Sequence, residues 1–225
     1  EFDVASENED IRRKGVKYLN GILEKIAFMG GDLLGGIIYG SWPGAPGSYD
    51  AKRLSREQSL RSMKELSEPA EAMGITMCLE VVNRFEQHII NTVEEGIAYI
   101  DELGNPPGVK LLLDTFHMNI EEDSISDAIK KAGERGMLGH FHIGECNRRV
   151  PGYYGGRMPW DDIVQALSEC GYEGRIVMEP FIKPGGEVGR DIKLYRDLSG
   201  GCGIEEMDIM AKEGCRFVKS LLQKY

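Results

Sequence analysis

The chain has 225 residues, 41% of them hydrophobic, enough for a single domain over 1–225 with a large core. Its formal charge of -10 and pI near 5.0 exclude a general affinity for nucleic acid or anionic membranes, which requires clustered Lys and Arg. Five scattered cysteines with no Cys-x-x-Cys spacing, no apolar run of membrane-spanning length and no signal-like N-terminus predict a cytoplasmic protein without a disulfide framework or zinc ribbon.

Taken in chain order, residues 10–29 place Val16, Leu19, Leu23 and Ile26 on one helical face. The run "DLLGGIIYG" (32–40) then reads as a strand, followed by a helix that Ser55 and Gln58 would open as a capping box. "ITMCLEVV" (75–82) is the second strand, and Thr92 with Glu95 marks the next helix start in the same way. "VKLLLDTFH" (109–117), "MLGHFHIGE" (137–145) and "RIVMEPFI" (175–182) complete five strands, and an amphipathic segment near 205–223 closes the chain. Continuous apolar runs of this kind suit strands buried on both faces, and their alternation with helices predicts a parallel α/β architecture, barrel or open sheet.

Four polar residues close these runs. Glu80 ends "TMCLE", Asp114 ends "LLLD", His142 ends "GHFH" and Glu179 ends "IVME", with separations of 34, 28 and 37 residues, about one βα unit each. In a (β/α)₈ barrel the C-terminal strand ends converge on one mouth, so the four would face a common point. Three carboxylates and one imidazole at one point need a cation among them, and the donor set suits Mn²⁺, Co²⁺ or Mg²⁺ better than a thiolate-rich zinc site. His140 shares a face with His142 and reads as core or as support beneath it. Cys146 reads as packing rather than a nucleophile.

The segments "CLEVVNRFEQHIINT", "LLLDTFHMNIEEDSI", "GHFHIGECNRRVPG", "MPWDDI" and "VMEPF" together resemble the ketose 3-epimerases acting on D-tagatose and D-psicose (allulose), and the similarity continues through "GGEVGRDIKLYRDLS". The resemblance implies a (β/α)₈ TIM barrel of the xylose isomerase-like type. It also implies one divalent cation, Mn²⁺ first with Co²⁺ or Mg²⁺ as alternatives, free ketoses as substrates, and a homodimer or homotetramer. It implies the same metal ligands, Glu80, Asp114, His142 and Glu179, with Glu80 and Glu179 doubling as the acid/base pair for epimerisation at the third carbon through an enediolate. It adds Glu86, His117 and Arg148 as sugar-binding groups and Trp42 and Phe181 as pocket wall.

Against a closed barrel of eight strands, five are legible, so about the first three βα units of the family pattern are expected to be absent from this chain. Three rival readings follow. One is a sugar-phosphate epimerase or isomerase using the Gly-rich "KPGGEVGR" after the last strand for phosphate. The second, a metal-dependent endonuclease, is opposed by four histidines and the acidic charge. The third is an inactive fragment serving as a binding or assembly module.

Overall fold

A computed structural model of the protein describes residues 2–44 and 46–225. Five strands, β1 (Leu33–Gly36), β2 (Thr76–Val81), β3 (Val109–Asp114), β4 (Leu138–Ile143) and β5 (Ile176–Met178), form one parallel sheet in sequence order. Each crossover is helical, as parallel neighbours require. α1 (Glu9–Phe28) precedes β1, α2 (Tyr49–Ala72) joins β1 to β2, and α3 (Val93–Glu102) joins β2 to β3. α4 (Thr115–Glu121) and α5 (Ile125–Glu134) lead to β4, and α6 (Trp160–Glu169) leads to β5. α7 (Gly186–Asp191) and α8 (Ile204–Leu222) follow the last strand.

Local chemistry explains most helix starts. The Asn8 side chain accepts from the N–H groups of Asp10 and Ile11, and Glu9 and Asp10 add negative charge to the first turn of α1. Thr92 Oγ1 accepts from Glu95 N–H at 3.2 Å, while the Glu95 carboxylate turns back to Asn91 N–H at 2.7 Å rather than to Thr92 itself. The expected start at Ser55 is corrected: Ser48 caps α2 by accepting from Ala51 N–H at 3.2 Å, and Ser55 lies inside the helix.

The strands are shorter than the apolar runs that contain them. Pairing in 32–40 stops at Gly36, and in 175–182 it covers three residues. The run 109–117 ends as a strand at Asp114, because that side chain caps α4 by accepting from Phe116 N–H at 2.7 Å. The chain therefore passes from strand to helix without a loop, and His117 falls in the first turn of α4.

Alternation divides the sheet into two faces. Met77, Leu79, Val81, Leu111, Leu113, Phe141 and Ile143 belong to the main hydrophobic core, which they share with helical residues such as Leu66, Ile100, Ile129 and Ile163. Glu80, Asp114 and His142 alternate with them and point the other way. β4 reaches this arrangement through a bulge: Leu138 pairs with Leu111, yet His140 pairs with Leu112, so Gly139 is the extra residue. A Cβ at Gly139 would lie 2.5 Å from Lys110 Cβ and 2.7 Å from Cys78 Sγ, which is why glycine occupies the bulge.

Among the described residues the sheet is open, with β1 and β5 each paired on one side only. At the N-terminal ends of the two edge strands Arg175, before β5, makes two 2.7 Å side-chain bonds to Asp32, before β1. Among the described residues no helix is long and apolar enough to cross a membrane.

Candidate metal centre and sugar site

Glu80, Asp114, His142 and Glu179, at or just beyond the C-terminal ends of β2 to β5, each bring one ligand atom within 4.8 Å of the others. The four strand-end residues expected at one point are brought together. Asp114 is fully buried and Glu80 nearly so, while Glu179 keeps a third of its side chain exposed.

Arg148 supplies the only guanidinium in contact with the cluster among the described residues. Its Nη1 donates to Asp114 Oδ2 at 2.7 Å and to Glu179 Oε2 at 3.0 Å, and its Nη2 lies 3.1 Å from His117 Nε2. The plane of the group sits 4.0 Å from the Phe116 ring centroid and 5.1 Å from that of Phe181. Two aromatic faces and two carboxylates thus hold one planar cation, a task an ammonium performs poorly.

The two glutamates are pushed apart electrostatically. Burial, reinforced by the charges of Glu179 and Asp114, raises Glu80 well above the usual carboxylate range; His117 Nε2 and His142 Nδ1 lie 3.7 and 3.8 Å from its Oε1. Burial acts on Glu179 in the same sense, but His142 and Arg148 beside it prevail and bring it down to about 2. In the absence of a cation, their surroundings thus bias the two carboxyls in opposite directions.

His117 is 2% exposed and burial drops its pKa to about 3, so it stays neutral. Donors face both ring nitrogens: Asn83 N–H lies 3.2 Å from Nδ1 and Arg148 Nη2 3.1 Å from Nε2, so the neutral ring can accept from one side only. The Asn83 amide donates to Glu86 Oε1 at 2.9 Å, and Trp42 Nε1 donates to Glu86 Oε2 at 3.2 Å. Trp42, Glu86, His117, Arg148 and Phe181 thereby connect to the four-residue cluster in one continuous network.

The donor set fits a divalent cation. His142 Nδ1 faces Glu179 Oε2 at 3.4 Å, off the hydrogen-bond direction, and this buried nitrogen has no hydrogen-bond partner. Three carboxylates with one arginine leave uncompensated negative charge in a buried place, and oxygen-rich sites with one imidazole suit hard or borderline divalent ions.

Asn83 and Tyr39 escaped sequence reasoning. Tyr39, with no exposed surface, donates through its hydroxyl to the Glu80 carbonyl at 2.8 Å and is tied to α2 by Ser59. The signal for Asn83 was its place directly after the β2 run; Tyr39 carried none, since its partner is 41 residues away. His140 lies beneath His142 with ring centroids 5.0 Å apart, and the glycine-rich segment after β5 contains the largely exposed α7.

Residues 1–198 match the family model described as a xylose isomerase-like TIM barrel. The chain is 42% identical over 223 residues to the D-psicose 3-epimerase of Ruminiclostridium cellulolyticum, an alignment covering 99% of this chain and 74% of that protein. It is 42% identical over 220 residues to the D-psicose 3-epimerase of Agrobacterium fabrum, covering 98% and 74%. A crystal structure of D-psicose 3-epimerase with D-tagatose from Clostridium cellulolyticum H10 superimposes with a TM-score of 0.92 at 42% identity, over 98% of this chain and 74% of that one. Motif, architecture and similarity over nearly its whole length converge: the chain belongs to the ketose 3-epimerase family.

Proposed function

We propose that the site epimerises a free ketose at its third carbon, with the D-psicose/D-fructose pair as the first substrates to test. The observation that carries the proposal is the order of the cluster along the sheet. Glu80 and Glu179 are its outermost members, on β2 and just past β5, with Asp114 and His142 between them. A sugar seated over the middle pair meets one carboxylate from each side.

Inverting that carbon requires removing a proton beside the carbonyl, which leaves an enediolate, and returning a proton to the opposite face. One of Glu80 and Glu179 takes the proton on its own side and the other returns one from the opposite face, with the roles reversed for the return direction. Glu80, Asp114, His142 and Glu179 would hold one divalent cation, Mn²⁺ first among Mn²⁺, Co²⁺ and Mg²⁺, which when bound supplies Lewis-acid stabilisation of negative charge on the sugar oxygens. Arg148 directs fixed positive donors at the same oxygens, and neutral His117 beside it contacts one of them. Glu86, held by Asn83 and Trp42, orients a hydroxyl, and Trp42 and Phe181 exclude water from the sugar's apolar faces. The family resemblance implies a homo-oligomer, and the scattered cysteines suit a cytoplasmic location.

Incubation with D-psicose, D-fructose and D-tagatose in heavy water with Mn²⁺ tests the reading. The expected product is the epimer carrying solvent deuterium at the third carbon. Turnover of phosphorylated sugars alone would select a sugar-phosphate epimerase instead. Epimer without deuterium would remove Glu80 and Glu179 from their assigned roles.

A further inference from the structure

We propose that Glu145 is a positioning residue for Arg148, an inference that rests on the assignment of Arg148 as a sugar-binding group. Glu145 follows β4 by two residues and is 3% exposed, yet no cation pairs with it among the described residues. Its carboxylate is instead satisfied by three neutral donors: Oε1 accepts from Gly152 N–H and Trp160 Nε1–H, both at 2.8 Å, and Oε2 accepts from Arg157 N–H at 2.8 Å. A buried carboxylate without a countercharge is costly, and three donors from residues 152, 157 and 160 compensate by tying the whole β4–α6 connection to one point.

The same residue holds Arg148 through its backbone. Arg148 N–H donates to the Glu145 carbonyl at 2.9 Å, and Glu145 N–H donates to the Arg149 carbonyl at 2.9 Å. Arg148 adopts φ of 63°, a left-handed conformation that non-glycine residues adopt only when surrounding contacts impose it. Its carbonyl then accepts from Phe181 N–H at 2.9 Å, which links the turn to the segment after β5. The guanidinium can rest on Asp114 and Glu179 only while this turn is kept. Gly156, φ 76°, confirms how closely the loop wraps the carboxylate, since a Cβ there would lie 3.0 Å from both Glu145 Oε1 and Trp160 Nε1.

The test compares Glu145→Ala, Glu145→Gln and Trp160→Phe in the full chain. In the crystal structure of E145A the Arg148 guanidinium is expected to leave Asp114; a guanidinium still in its original contact overturns the proposal. With D-fructose and Mn²⁺, E145A should lower kcat/KM by about 10- to 100-fold, the usual effect of removing a supporting partner of a site residue. E145Q should lose less, because an amide oxygen still accepts from Gly152 and Trp160. If E145A does not fold, W160F, which deletes one donor and no charge, should shift kcat/KM in the same direction by a smaller factor. A double-mutant cycle with R148A separates positioning from general support. In that background E145A should change kcat/KM less than about twofold, whereas additive losses would refute action through Arg148. If the unsubstituted chain turns over no ketose, the functional reading fails, and the crystallographic comparison alone decides the positioning role.

Discussion

Adding Mn²⁺ to the metal-free protein should stabilise it and release a proton, and both effects follow from the geometry of the cluster. Four ligand atoms within 4.8 Å exist only in the fold, so a cation bound there acts on the folded state alone. At 100-fold above its dissociation constant the ion contributes about 2.7 kcal/mol, which for a chain of this size raises Tm by roughly 5 to 11 °C. Glu80 determines the proton count, because burial and its two acidic neighbours shift it toward the protonated form while Glu179 is shifted the other way. The sign follows from that raised pKa: the metal-free fold binds a proton the unfolded chain has lost, so stability falls as pH rises above the ordinary carboxylate range, by up to about 1.4 kcal/mol per pH unit. Cation binding requires that proton to leave, so affinity should rise about tenfold per pH unit until Glu80 is ionised in the free protein. Scanning calorimetry gives the Tm shift, and titration calorimetry in two buffers of different ionisation enthalpy gives the proton release. A Tm shift of unchanged size in D114N and H142A, or binding without proton release in the acidic range, would refute the assignment.

Other expectations concern single residues. E80Q and E179Q should each lose roughly 10²- to 10⁴-fold in epimerisation, as for loss of a general acid or base. Excess Mn²⁺ should not restore them, and NMR should show each exchanging the third-carbon proton of a different epimer. R148K keeps the charge but cannot bridge Asp114 and Glu179 while lying between two rings, so kcat/KM should drop by roughly 10- to 100-fold, the equivalent of one charged hydrogen bond. G139A forces a methyl group against Lys110 and Cys78 and should lower the unfolding free energy by about 1 to 3 kcal/mol in urea titrations, with an unchanged m-value.

Much of the site was legible in the sequence because each member of the four-residue cluster closes an apolar run, and parallel strands place such run ends on one side of a sheet. The strands, the parallel class and the helix opening at Thr92 depend on nearby residues, where periodicity and capping act. The start of α2 did not follow from that logic: a polar pair inside a helix, Ser55 and Gln58, resembles a cap as well as Ser48 does, and tertiary packing chose the earlier one.

Contacts distant in sequence decided the rest. Parity along β4 would have put His140 and His142 on the face of Leu138, and the bulge at Gly139 turned them inward because Cys78 and Lys110 leave room for glycine alone. The sequence determined that Asp114 ends a strand; the fold added that the same carboxylate caps α4 and anchors Arg148. Arg148 stood in a motif, but its two aromatic neighbours and its tie to Phe181 arise from chain segments more than 30 residues apart, which no local pattern encodes. Hydrophobic periodicity and caps are short-range physics and can be read along the chain. Charge compensation in a buried cluster depends on which segments meet in space, and only the assembled sheet determines that.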